Sequence, residues 1–103
     1  MKVEKLLIER SGGNVFADLG FDAGEAVNLA MRADCMIALT QWYRHSGLTQ
    51  SAAAKLIGVR QPRLNALLKG AIGEFSLDAL VNMAALAGLN AKLSIKAPRR
   101  RTA

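Results

Sequence analysis

The sequence predicts a mainly all-α domain of about five helices followed by one short C-terminal strand. Alanine and leucine are frequent and only two prolines interrupt 103 residues, a composition that favours helix. After residue 22, apolar residues recur mostly at helical spacing. Cap residues and glycines mark the ends of those segments. The length suits one small domain with one core. About half the chain is apolar (51%) but only five residues are aromatic, so the core is built from Leu, Ile, Val, Ala and Met.

Composition also narrows the function classes. No apolar run is long enough to span a bilayer, and the opening MKVEKLLIERSGG lacks the apolar segment of a secretory signal. A cytoplasmic protein with no membrane partner is the expectation. Cys35 is the single cysteine, which leaves no intrachain disulfide and no multi-cysteine metal site. The net charge is +6 and is unevenly spread. Residues 1–40 carry six acids against four Lys and Arg, a net of −2. Residues 41–103 carry two acids against ten Lys and Arg, a net of +8. A polyanion partner for the second part is plausible on charge, although solubility or a basic tail would give the same balance.

Taken in order, residues 1–22 read as a lead-in segment, partly flexible. Met1 to Glu9 mixes charges with Leu6, Leu7 and Ile8, and Gly12 and Gly13 break the segment. Val15 to Phe21 (VFADLGF) either folds back to plug the core or docks on another protein. The first is favoured, because phenylalanines in small domains are far more often core. The helical domain spans residues 23–90. Asp22 is a good N-cap with Glu25 three residues on. Ala26, Leu29, Ala33, Met36, Ile37, Thr40 and Tyr43 give the first long helix an apolar face up to about His45. Gly47 ends it, with a kink or split possible at Met31–Asp34. Trp42 and Tyr43 read as packing residues, and Cys35 as a small, partly buried one. His45 suits a helix C-terminus and has no second histidine to share a metal or catalytic role.

The next stretch, residues 48–70 (LTQSAAAKLIGVRQPRLNALLKG), reads as two short helices joined by a tight turn. Thr49 caps the first, with Ala53, Leu56 and Ile57 facing inward. Gly58 permits a left-handed turn, and Val59 plugs the angle between the helices. Gln61 and Pro62 open the second helix, where a missing N–H costs nothing. At about 100° per residue, Leu64, Leu67 and Leu68 share one arc roughly 100° wide. Pro62, Asn65, Ala66 and Lys69 point the other way, flanked by Gln61 and Arg63. Gly70 closes the helix. Ser76 caps the last helix with Phe75 and Leu80 at staple positions. Leu77, Leu80, Val81, Ala84 and Ala87 form its apolar face, and Gly88 stops it with Leu89 beyond. Residues 91–97 (AKLSIKA) then alternate apolar and polar, a half-buried strand, and 98–103 form a basic tail. A lone strand must pair with something. The N-terminal segment, another protein or a second copy would serve. A second copy is favoured, pairing through Leu93 and Ile95 in a symmetric dimer.

Gly47-Leu48-Thr49-Gln50, Ala54, Leu56, Gly58-Val59, Gln61, Leu64 and Gly70 resemble the helix-turn-helix of the lambda-repressor-like (XRE) family. The similarity covers about residues 46–88. The chain as a whole, through GNVFADLGF, GLTQ and LAGLNAKLSIKA, resembles the smaller HigA-like antitoxins of toxin–antitoxin operons. These resemblances imply a DNA-binding repressor of its own operon that also neutralises a RelE/HigB-like ribonuclease toxin. The implied partners are double-stranded DNA with a near-palindromic operator, a second copy, and a small basic toxin. In the XRE family a glutamine opening the recognition helix often contacts adenine, braced against a phosphate by the first glutamine of the motif. Gln61 and Gln50 hold those positions. Pro62 stands where the family commonly has a polar side chain, so base contacts shift to Gln61, Arg63 and Asn65. Arginine pairs with guanine, asparagine with adenine, and Ala66 suits a thymine methyl. Arg60, Lys69, Lys55 and Arg44 are better placed for phosphates.

Two other readings stay open: a stand-alone regulator without a toxin, in which residues 1–22 only complete the fold, and a protein-interaction module that has lost DNA binding. An enzyme is disfavoured, with one histidine, one cysteine, no phosphate-cradling loop and no paired carboxylates on one face. No cofactor and no metal are expected.

Overall fold

The computed structural model describes residues 15–95. Among the described residues, five α-helices and one 3-10 turn follow in order: α1 (Val15–Asp18), α2 (Ala23–Ser46), α3 (Gln50–Leu56), α4 (Gln61–Leu68), the 3-10 turn Ile72–Glu74 and α5 (Leu77–Leu86).

Helix α2 starts where Asp22, in extended conformation, accepts a hydrogen bond from the Glu25 backbone N–H at 2.8 Å. It runs unbroken for 24 residues and stops at Gly47, whose φ is +74°. Residues 31–34 contain no proline or glycine, so nothing in the sequence forces a kink there. Its buried residues are Ala26, Leu29, Ala30, Ala33, Met36 and Leu39. Ala30 and Leu39 join the expected face, while Ile37 and Tyr43 are only partly buried and pack at its edge. His45 Nδ1 lies 2.8 Å from the Gln41 carbonyl oxygen within the last turn.

Helix α1 folds back onto α2. Phe16 is completely buried, and its ring meets that of Phe21 edge to face at 6.2 Å. The Phe21 N–H donates to the Phe16 carbonyl at 3.2 Å, which closes the bend. Residues 1–14, with the Leu6–Ile8 patch, lie outside the described residues. Leu19, between the two rings in sequence, is exposed.

The core gathers Phe16, Met36, Leu39, Ile57, Leu64, Leu67, Ile72, Phe75 and Leu80. Alanines at 33, 53 and 54 are also buried, and their small side chains let the helices approach closely. Helix α2 packs along α1 and α5 and also meets α4 and the 3-10 turn, while α3 packs on α4.

One polar contact crosses this core edge. Arg32, part-buried on α2, donates through one terminal nitrogen to the carbonyls of Ile72 (3.2 Å) and Phe75 (3.1 Å). Its Nε is buried without a partner among the described residues, which offsets part of the gain. Truncating Arg32→Ala leaves both carbonyls short of a donor and should cost about 1–3 kcal/mol, read as a lower urea midpoint. Unchanged stability would mean that water replaces the guanidinium freely.

Helix α5 starts at Ser76, whose Oγ accepts from the Ala79 N–H at 3.1 Å. Phe75 and Leu80 are both buried, as the staple requires. Leu80, Met83 and Ala84 make the buried face. Val81, expected inside, is 38% exposed, since it lies about 100° around the helix from Leu80. Gly88 has φ +82°, and the Leu89 N–H returns to the Ala84 carbonyl at 2.9 Å. Residues 91–95 form no strand in the single chain. Leu93 (68%) and Ile95 (82%) are exposed, and with no strand beside them among the described residues no ladder forms there. Lys96 and Ala97, the rest of the expected strand, and the tail 98–103 lie outside the described residues. No helix among the described residues is long and apolar enough to cross a membrane.

Candidate nucleic-acid interface

The chain from Thr49 to Gly70 folds as two short helices meeting at a tight turn. Thr49 is extended, and its Oγ1 accepts from the Ala52 N–H at 3.1 Å to start α3. Ala53, Ala54 and Ile57 face the core. Leu56, expected inside, is 51% exposed. The buried triplet centres the inward face between Ala53 and Ala54, and Leu56 falls about 110° from that centre.

The turn is a closed hydrogen-bonded cap. The Val59 N–H reaches the Ala54 carbonyl at 2.9 Å and the Gly58 N–H reaches Lys55 at 3.2 Å, both orphan carbonyls of the helix end. Gly58 has φ +76°, and a Cβ there would meet Leu86 Cδ1 at 3.2 Å. Gly58→Ala should therefore cost about 1–2 kcal/mol in backbone strain, while the half-exposed Leu86 can give way. A thermal melt checks this, and a stabilised variant would contradict it.

Helix α4 begins after Arg60, which is extended and makes no side-chain cap bond. Pro62 is its second residue, where the absent N–H breaks no intrahelical bond. Leu64 and Leu67 are buried and Leu68 partly so. Lys69 and Gly70 end it, with the Ala71 N–H returning to Ala66 at 3.1 Å.

The candidate residues divide into three groups. Gln61 is exposed, and its Nε2 lies 3.5 Å from Gln50 Oε1, a long hydrogen bond that brings the starts of α3 and α4 together. Arg60, Lys55, Lys69 and Arg44 are exposed. Asn65 and Ala66 are half-buried, and Ala66 packs against the core, which shortens its reach outward. Arg63 is turned back on the domain. Its Nη1 donates to the Glu74 carbonyl at 3.1 Å, and its guanidinium carbon sits 4.4 Å above the Phe75 ring. Sequence reasoning missed this contact and that of Arg32. Phe75 reads as a staple residue from the sequence, but nothing local ties either arginine to it.

Among the described residues no group of three or more His, Cys, Asp or Glu is placed to hold a metal ion. Burial pushes the Cys35 thiol above its usual range and the Asp34 charge adds to this, the opposite of what a reactive thiolate needs.

A family profile described as a helix-turn-helix domain matches residues 15–96. A solved structure assigned to the XRE family of transcriptional regulators superposes with a TM-score of 0.67 at 28% identity, over 77% of this chain and 90% of that one. Among curated proteins there is no match. With the profile covering most of its length, the chain belongs to the helix-turn-helix domain family.

Proposed function

We propose that this chain is a sequence-specific DNA-binding repressor. It acts as a homodimer on a near-palindromic operator and serves as the antitoxin of an operon that it autoregulates. The observation that carries the DNA reading is the exposed Gln61 at the start of α4, paired with Gln50 at the start of α3. A helix in the major groove reads base edges with side chains near its N-terminal end. Gln61 there offers an acceptor and a donor to adenine. Gln50 holds its amide in place and points its own N–H groups to a backbone phosphate. Asn65, one turn on, is the second base reader. Arg60, Lys55, Lys69 and Arg44 bind phosphates. Leu93 and Ile95, exposed in the single chain, gain a partner when the strand pairs across the dimer.

Gln61→Ala should relax the preference for the cognate site by roughly 5–150-fold, the worth of about 1–3 kcal/mol, whereas Lys69→Ala should weaken binding to every sequence alike. Competition binding with the DNA upstream of the coding sequence tests both. A Gln61→Ala variant that keeps full preference overturns the assignment.

The antitoxin part rests on the resemblance to HigA-like proteins and on the exposed acids Asp18 and Asp22 of the lead-in and Glu25 just after it, with Leu19 and Val27 exposed in the same stretch of sequence. That surface suits a small basic partner of the RelE/HigB-like type. Co-purification with the product of the adjacent gene tests it. The burial of Phe16 favours the second reading, a regulator without a toxin whose lead-in serves the fold alone. An adjacent frame that does not encode a small basic protein would leave that second reading standing.

A further inference from the structure

We infer that Arg63 is a positioning residue, which locks the recognition helix to the domain and does not itself read a base. The inference rests on the DNA-binding reading and assigns a role within the same site. An arginine carries five donors in a rigid planar fork. In Arg63 one arm is taken by the Glu74 carbonyl, at 3.1 Å. Its centre stands 4.4 Å over the Phe75 ring, inside the range where a cation is drawn to an aromatic face. Phe75 is 1% exposed and held by the core, so the ring is a fixed platform.

The same short connection is held from the other side. Arg32 of α2 binds the carbonyls of Ile72 and Phe75. Three carbonyls within residues 72–75 thus accept from two arginines, one on α2 and one on α4. Arg32 fixes the connection to the long helix, and Arg63 fixes α4 to the connection. Arg63 is the third residue of α4, in the same turn as Gln61. The tilt of that turn, and with it the aim of Gln61, is therefore set by Arg63. Reading a guanine would require Arg63 to leave both contacts. Arg60 and Lys69 make no such contact to the described residues and reach phosphates without loss. Specificity then falls to Gln61 and Asn65, with Arg63 acting through them.

The test uses the full chain with Arg63→Met, Arg63→Lys, Phe75→Leu and the Arg63→Met/Phe75→Leu pair. Melting without DNA is read first. Arg63→Met should lower Tm by roughly 4–8 °C, and the pair should lose less than the sum of the single losses. Binding is then titrated with salt on the chain's own upstream DNA and on a scrambled duplex of equal composition. Arg63→Met should lose roughly tenfold on the upstream DNA, with an unchanged salt slope. Arg63→Lys should recover little, because an ammonium cannot span carbonyl and ring as the fork does.

A salt slope lower by about one for each protomer would make Arg63 a phosphate contact and overturn the inference. Lost preference at a single base pair with Tm unchanged would make it a base reader and do the same. If the wild-type chain does not distinguish the two duplexes, the DNA-binding reading fails. The melting cycle still decides the Arg63–Phe75 contact, and strictly additive losses would overturn it.

Discussion

Phe16→Ala should lower the stability of the domain by about 3–5 kcal/mol, the range for deleting a buried aromatic ring. Phe16 has no exposed surface and is the largest side chain that α1 contributes to the core. Its loss also frees Phe21 from the edge-to-face pair and loosens the bend closed by the Phe21 N–H. Small domains are stable by only about 5–15 kcal/mol, so the variant should be partly unfolded at physiological temperature. A urea titration with far-UV circular dichroism checks this. A loss below about 1 kcal/mol would mean that the cavity collapses cheaply and that α1 is not integral to the core. The lead-in segment would then be free to act mainly in docking.

The second large effect is on binding. The chain offers Arg44, Lys55, Arg60 and Lys69 as exposed cations, so the proposed homodimer, engaging them all, would neutralise about eight phosphates. The logarithm of the association constant should then fall against that of salt with a slope on the order of −7. Raising salt from about 50 to about 200 mM should weaken binding by about 10⁴-fold. Fluorescence anisotropy on a labelled duplex reads this directly. A slope near −2 would mean that most of these side chains stay in solvent, and that the basic charge of residues 41–103 serves solubility instead.

What was legible in the sequence was mostly local. The caps at Asp22, Thr49 and Ser76 each use a side-chain oxygen three residues from its donor, and the stops at Gly47, Gly58, Gly70 and Gly88 all have positive φ. Both follow from chain geometry over a few residues. The inward leucines of α4 followed from a clear helical period. Leu56 was misplaced because α3 is seven residues long and its phase is set by two alanines, which carry little signal. Residues 31–34 carry neither proline nor glycine, so the sequence permits the unbroken α2 without requiring it. Arg32 and Arg63 escaped for a different reason. Their partners are backbone carbonyls 40, 43 and 11 residues away, and a carbonyl has no sequence identity. The strand expected at 91–97 would need a partner strand, which alternation alone does not supply, and residues 91–95 form none in the single chain.

Competition between two duplexes for the purified chain at about 150 mM salt separates base reading from phosphate binding. One carries the DNA upstream of its own coding sequence and the other the same bases scrambled. A helix-turn-helix dimer reading bases through Gln61 and Asn65 should prefer the first by about 10³-fold or more. Equal affinity for both, with the domain folded, would contradict sequence-specific recognition by α4.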